Sequence, residues 1–289
     1  MDKTVKSENP TSNHTIRYAV SGGYPPVEAR LQIDRSGQAE MFIGSSWSLP
    51  VENEQEQDGR AQVGVFGGML DEQTRTSLSA LAQTVLGTDI QASAGVPDSV
   101  FRLLELSFEG QETRIELAGA SSSPAMDALE AALKEIMVAL ADQPRQAVRI
   151  TLWIEPDEQD ASQLKPGLIL TNKGSQPVQV LFQNPSAPGQ PAFVNLSLEE
   201  AIVLTKDFTA WNPIKTIQFP PNQLAPLLPA GMVRVGVKGS YTLSLPAFAR
   251  PAPGKAVHAS AQMTFWLAGQ AVKGQQVQVR TARIALGSI

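Results

Sequence analysis

Apolar and polar side chains alternate along five segments in the first half of the chain. In the first segment, Ile16, Tyr18 and Val20 lie at every second position, which places them on one face of a strand. Each segment therefore predicts a β-strand with one buried face. The predicted strands cover residues 15–20, 29–35, 38–43, 101–108 and 112–118.

Two other segments carry apolar residues at spacings of three and four, which predicts amphipathic helices. The first, Asp71–Leu86, begins at a capping residue and is followed by Gly87, a residue that commonly ends a helix. The second, Pro124–Ala141, follows Ser123 and has proline at its first helical position. Strands and helices in this order predict an α+β domain at residues 15–142, with two helices on an antiparallel sheet.

The pattern changes after residue 146, where short apolar runs are separated by proline and glycine and no helical spacing is visible. This predicts an all-β, Ig-like sandwich at residues 146–289. Residues 1–14 are polar and predict a disordered leader without the apolar core of a signal peptide. We therefore expect a cytoplasmic protein, with leaderless export left open, and no run long enough to span a membrane.

The formal net charge of −5 conceals two halves of opposite sign. Residues 1–144 carry 10 Lys and Arg against 21 Asp and Glu, whereas residues 145–289 carry 13 against 7. No acidic residue follows Asp207. The asymmetry favours two folding units, and it allows packing between halves, head-to-tail association of identical chains or an acidic partner. Basic residues without interleaved aromatic side chains disfavour nucleic acid as the partner.

Few residues in the sequence suggest catalysis or metal binding. The chain has no cysteine and two histidines, His14 and His258, which lie far apart in the sequence. It contains neither an HExxH motif nor a GxSxG motif, so that zinc hydrolysis and serine hydrolysis have little support. We therefore expect no enzyme activity, no catalytic residues, no metal and no cofactor.

Two local clusters allow a functional and a structural interpretation. The glycines of Gly64–Asp71 approach a helix start, where backbone N–H groups can bind an anion, but a simple bend before the helix is the favoured interpretation. The carboxylates of residues 155–160 suit calcium, although their spacing departs from that of an EF-hand loop. A solvated loop is favoured there, as it is for the acidic residues 51–60.

The segment SGGYPP, residues 21–26, connects the first two predicted strands with more glycine and proline than a short turn requires. Together with the element order of residues 15–141, it resembles emfourin, a family of bacterial protein inhibitors of thermolysin-like metallopeptidases. Members begin with a strand, a Ser-Gly-Gly-aromatic turn and a second strand, followed by a leucine-repeat helix, a hairpin and a closing helix. The matching stretches are Tyr18–Tyr24, Leu70–Leu86, Phe101–Ala118 and Pro124–Leu140.

The resemblance implies a protein-binding protein that occludes a peptidase cleft with a rigid loop, so that any catalytic zinc belongs to the target. Glycine permits a tight turn with positive φ and the two prolines stiffen the loop, which limits the entropy lost on binding. Pro25-Pro26 and the acidic insertion at 51–60 depart from the family pattern. The candidate partner-binding residues are Ser21, Gly22, Gly23, Tyr24, Pro25 and Pro26.

The second half has a weaker resemblance, carried by Leu170–Val180, to the opening strands of Ig-like sandwiches, among them the bacterial intracellular proteinase inhibitor domain. The charge asymmetry supports an alternative function equally well. In that alternative the chain is an assembly subunit, and copies associate through the acidic N-terminal half of one and the basic C-terminal half of the next.

Overall fold

A computed structural model gives the conformation of most of the chain. It describes residues 14–23, 26–46, 48, 62–90, 99–108, 110–119, 123–187, 191–205, 208–224, 227, 231–251, 257–270 and 273–286. Residues 1–13 of the expected leader and the acidic loop at 51–60 lie outside these ranges.

Residues 14–140 form strands and two long helices. The strands are β1 (His14–Gly22), β2 (Val27–Asp34), β3 (Gln38–Ile43), β4 (Gln62–Met69), β5 (Val100–Phe108) and β6 (Gln111–Leu117). The helices are α1 (Glu72–Leu86) and α2 (Pro124–Leu140).

The rest of the chain adds further strands and one short helix, α3 (Pro221–Leu224). The strands are β7 (Pro144–Pro156), β8 (Gln163–Asn172), β9 (Val178–Leu181), β10 (Phe193–Thr205), β11 (Phe208–Phe219), β12 (Met232–Val235), β13 (Ser240–Ser244), β14 (Phe248–Ala249), β15 (Val257–Ala268), β16 (Lys273–Arg280) and β17 (Ile284–Ala285).

The strands form two antiparallel sheets. The larger has ten strands in the order β13-β8-β7-β4-β3-β2-β1-β5-β6, with β14 paired to β8. The smaller has seven strands in the order β11-β10-β15-β9-β12, with β16 and β17 paired to β15. The expected α+β domain followed by an Ig-like sandwich is therefore wrong as a fold class, since the protein is mostly β and its strands are distributed over two antiparallel sheets.

The fold differs from the expected one because β4 pairs with β7. Gln62, Val63 and Gly64 lie opposite Arg149, Val148 and Ala147, so the backbone hydrogen bonds of β4 continue into a strand from the second half of the sequence. Strands β7, β8, β13 and β14 consequently belong to the same sheet as β1–β6. The division of the chain into units at 15–142 and 146–289 stays a prediction.

Gly64 is required where β4 meets β7. Its φ is +131°, and a Cβ built on it would lie 2.1 Å from the carbonyl oxygen of Gln146 and 2.8 Å from Cα of Ala147. Both contacts are to backbone, which cannot move aside without breaking the ladder. Any larger residue at position 64 would therefore disturb the joint between the two parts of the sheet.

Both long helices begin at side-chain caps near the residues expected from the sequence. Asp71 accepts a hydrogen bond from the backbone N–H of Thr74 at 2.8 Å, and Ser123 accepts one from Met126 at 3.4 Å. The apolar stripe of α2 is buried, as is the narrower one of α1 (Leu78, Ala82 and Val85). In the described part of the chain, no helix is long and apolar enough to cross a membrane.

The two sheets are joined by hydrogen bonds between the end of β3 and strand β16. The backbone N–H of Gln278 donates to the carbonyl of Gly44 at 2.7 Å, and the N–H of Ser46 donates to the carbonyl of Gln278 at 3.0 Å. The hydroxyl of Ser46 also accepts from the N–H of Arg280 at 3.0 Å. The buried apolar side chains of both sheets belong to one hydrophobic cluster.

Replacing Gly64 tests the joint between β4 and β7. We expect Gly64→Ala to lower the free energy of unfolding by about 3 kcal/mol, because the new Cβ must displace backbone at a strained φ. Gly236→Ala is the matched control, since a Cβ there meets nothing within 4 Å. Urea denaturation measures both, and an equal stability of the two variants would contradict the role assigned to Gly64.

Candidate functional site

The candidate loop predicted from the sequence is the connection of the β1–β2 hairpin. Ser21 and Gly22 are the last residues of β1 and lie opposite Glu28 and Val27 of β2. Gly22 and Gly23 have φ values of +88° and +79°, as a tight turn built on glycine requires. Tyr24 and Pro25 lie outside the described residues, so the structure reports only the two ends of the loop.

Both ends of this loop are fixed by neighbouring segments. A Cβ at Gly22 would lie 3.1 Å from the carbonyl oxygen of Ser99 and 3.2 Å from the ring of Phe101, so β5 packs closely against it. On the other side, the hydroxyl of Ser45 donates to the carbonyl of Pro26 at 2.6 Å. Gly22 therefore has a structural role at this position, whatever else the loop does.

Two exposed apolar side chains adjoin the loop, one on each face of β5. Val100 and Phe101, which we call the apolar rim, begin β5 and lie opposite Gly22 and Ser21 respectively. Phe101 is 57% exposed and Val100 is 37% exposed. Several other large apolar side chains are as exposed as these two, and it is their position beside the loop that makes them a candidate contact surface.

A cavity of about 530 Å³ lies between this end of the sheet and helix α2. Its lining is mostly apolar and includes side chains from β1, β2, β5 and α2. The residues that line it are Tyr18, Val20, Val27, Ser48, Ser99, Val100, Arg102, Ala118, Gly119, Lys134 and Met137.

A buried polar network borders this cavity. The hydroxyl of Tyr18 donates to Oε1 of Glu130 at 3.2 Å, and Nη1 of Arg102 donates to Oε2 of Glu130 at 2.6 Å. The side chain of Glu130 is 5% exposed and that of Arg102 is 16% exposed. Arg102 also donates to the carbonyl of Gly119. A charge pair this buried needs such additional hydrogen bonds to offset the loss of hydration.

The network holds the Tyr18 phenol in its protonated form. Burial raises its pKa far above the ordinary value, and the adjacent carboxylate of Glu130 raises it further, whereas Arg102 opposes the change. Tyr18 is therefore a hydrogen-bond donor to Glu130 throughout the physiological pH range. Its role in the described structure is to fix the position of that carboxylate.

His258 belongs to a second polar cluster, on the smaller sheet. Its ring meets Trp211 edge-on with centroids 5.0 Å apart, and the guanidinium of Arg283 lies 4.2 Å from the centroid of the Trp211 ring. The carboxylate of Glu199, the residue opposite His258, accepts from Arg283 at 2.6 Å and from Arg280 at 2.8 Å. Both of its oxygens are thus engaged by arginine.

The two clusters left open by the sequence form local hydrogen bonds. Asp71 caps α1, and the backbone hydrogen bond from Thr74 lowers the pKa of its carboxyl. Asp160 accepts from the hydroxyl of Ser162 at 2.6 Å, which lowers its pKa in the same way. Among the residues that the structure describes, no group of three or more His, Asp or Glu side chains is placed to hold a metal ion.

The sequence analysis did not identify the cavity residues or the network beside them, although Arg102 and Glu130 of that network carry a recognisable signal. Arg102 occupies an inward-facing position of β5, in alternation with Leu104 and Leu106, and Glu130 lies next to Leu129 within the buried stripe of α2. A charged residue in a buried stripe indicates a partner of opposite charge. Nothing in the sequence shows which partner, because 28 residues separate the two.

Comparisons with known proteins add little to this description. No family model matches the chain, and no curated protein does. A solved structure, the Northeast Structural Genomics Consortium target SoR45, is 10% identical over 48% of this chain and 84% of its own, with a TM-score of 0.27. The MHC-like MILL2 is 11% identical over 92% and 98%, with a TM-score of 0.17. Scores this low carry no argument about fold or function.

Removing the Tyr18 hydroxyl tests the buried network through its pH dependence. At neutral pH we expect Tyr18→Phe to lower the free energy of unfolding by about 2 kcal/mol, through the lost hydrogen bond to the charged carboxylate of Glu130. Above about pH 10 the unfolded chain releases the phenolic proton while the folded protein retains it. The free energy of unfolding of the wild type therefore falls above this pH, whereas that of Tyr18→Phe does not fall for this reason. The difference in unfolding free energy between the two proteins becomes smaller.

Urea denaturation at pH 7 and at about pH 10.5 measures this difference. Tyr241→Phe is the control, since the Tyr241 hydroxyl donates to the carbonyl of Leu227 at the surface. A difference between wild type and Tyr18→Phe that stays constant across this range would contradict the burial of the phenol.

Proposed function

We propose that this chain is a non-enzymatic protein-binding protein whose contact surface is the hairpin loop, residues 21–26, together with the apolar rim. The observation that carries the proposal is the exposure of Phe101 beside Ser21 and Gly22. Aromatic side chains that stay exposed in the free protein commonly provide the anchors of an interface. A cytoplasmic location stays part of the proposal.

The backbone around the loop supports this use of the surface. Gly22 is held against Ser99 and Phe101, and Pro26 is held by Ser45, so the loop leaves the sheet from two fixed points. A pre-organised surface loses less conformational entropy on association than a flexible one. The same argument applies to an inhibitor, whose loop must remain in place in a cleft.

In its most specific form, the proposal is inhibition of a thermolysin-like metallopeptidase by occlusion of its cleft. This form is supported by the resemblance of the SGGY turn and the element order to emfourin. The partner is then a peptidase that carries its own zinc. The loop and the rim would fill the cleft, and this chain would supply no catalytic group.

Phe101→Ser tests the contact surface without changing the glycines that shape the hairpin. We expect the inhibition constant against a thermolysin-like peptidase to rise at least about tenfold, because an aromatic anchor is removed. Met69→Ser is the matched control. Met69 is 62% exposed and is the last residue of β4, paired with Gln38 and away from the β1–β2 loop. Its substitution should leave inhibition unchanged.

Hydrolysis of a peptide substrate by the peptidase, followed while the protein is titrated in, provides the measurement. Wild-type protein that leaves the rate unchanged at equimolar concentration would overturn the inhibitor proposal. Equal inhibition by wild type and Phe101→Ser would instead remove the apolar rim from the mechanism.

One observation favours the alternative, an assembly subunit. Arg280 and Arg283 form ion pairs with Glu199. Four other cations after Asp207 form no ion pair with any acidic side chain in the described ranges, namely Lys215, Arg234, Lys238 and Arg250. They remain available to the acidic half of a second copy.

Salt dependence separates the alternative from the inhibitor. If copies associate through opposite charges, we expect a large assembly at about 0.01 M salt that dissociates at about 1 M, where the Debye length falls from about 30 Å to 3 Å. Size-exclusion chromatography with light scattering gives the mass at each salt concentration. A monomer under both conditions would contradict the assembly proposal.

A further inference from the structure

We propose that the cavity between helix α2 and strands β1, β2 and β5 binds an aliphatic monocarboxylate. The inference concerns the inner face of the sheet. It does not depend on the proposed function, which rests on the loop and on Phe101, although Val100 belongs to the apolar rim and also lines the cavity.

The walls of the cavity suit an aliphatic chain. Val20, Val27, Val100 and Met137 contribute apolar surface from three strands and the helix, and the volume of about 530 Å³ falls within the usual range of ligand pockets. The three valines are partly exposed, so their surfaces are not covered by packing alone. Each methylene buried against such walls tightens binding by about fourfold.

The polar groups at the cavity favour an anion. Lys134 of α2 lines it and forms no ion pair with a described acidic side chain. Arg102 uses its guanidinium on Glu130 and on the carbonyl of Gly119, two acceptors for five N–H donors. The described residues of the lining include two cations, Arg102 and Lys134, and no acidic residue, and Arg102 is paired with Glu130 outside the lining. Among the described residues, Lys134 therefore contributes an unpaired positive charge, although the surrounding half of the sequence is strongly acidic.

The same geometry argues against a cationic ligand. The two carboxylate oxygens of Glu130, which borders the cavity, already accept hydrogen bonds from Tyr18 and Arg102. A cation would compete with Arg102 for that carboxylate and would meet Lys134 as a like charge. A carboxylate ligand can instead form an ion pair with Lys134 and accept a hydrogen bond from an unused N–H group of Arg102. The aliphatic part of the ligand then lies along the valines.

Isothermal titration calorimetry of the full chain with three ten-carbon probes tests the assignment. We expect decanoate to bind with one-to-one stoichiometry, and at least about fivefold more tightly than decanol, which lacks the charge, or decyltrimethylammonium, which reverses it. No saturable binding of decanoate below its micelle concentration would overturn the proposal. Equal affinity for decanoate and decanol would overturn the assignment of a carboxylate.

Two variants locate the site. Lys134→Gln should weaken decanoate binding about fivefold and leave decanol binding unchanged. Val100→Trp should weaken the binding of both, because the larger indole takes up space in the cavity that Val100 lines. Lys165→Gln is the control for a lost charge, since Lys165 is exposed on β8 and does not line the cavity. Circular dichroism verifies folding, and full binding by folded Val100→Trp would overturn the location.

Discussion

The pairing of β4 with β7 is the interaction on which the architecture depends. It joins strands from the two halves of the sequence into one sheet, and it requires the close backbone approach that Gly64 permits. Gln146, opposite Val65, is buried there and donates to the carbonyl of Pro177 at 2.9 Å, which ties β7 to the segment leading into the smaller sheet. Because both sheets share one apolar cluster, a disturbance at this joint reaches the core on either side.

The buried pair of Glu130 and Arg102 imposes a second constraint, on the end of the sheet that carries the candidate site. A carboxylate inside an apolar helix stripe is costly unless a cation and further donors satisfy it. Arg102 and Tyr18 meet this need from two adjacent strands, and Arg102 is fixed in turn by the carbonyl of Gly119. Tyr18 and Arg102, two of the side chains that line the cavity, are therefore held by hydrogen bonds as well as by packing.

The sequence predicts local features of this fold well and long-range ones poorly. The helix starts at Asp71 and Ser123 can be predicted because each cap bonds to a residue only three positions later. The hairpins can be predicted from alternating apolar residues on either side of a glycine turn. The pairing of β4 with β7 leaves no local signal. The glycines of β4 favour a bend before α1, and β7 mixes apolar with polar residues and could pair with several neighbours. Glu199 and Arg280 are likewise 81 residues apart, and nothing near either residue identifies the other. Fold class was therefore misjudged although many of the elements were placed correctly.

Strand β5 connects the two proposals and also separates them. Successive side chains of a strand point to opposite faces, so Phe101 faces outward beside Ser21 while Arg102 faces the cavity beside Val20. Contacts of a protein partner with Phe101 and contacts of a small acid with Lys134 thus occur on different sides of one sheet. Val100 is the exception, because it lines the cavity and is also exposed next to Gly22. Any influence of a bound acid on the loop would have to pass through that residue and its pairing with Gly22.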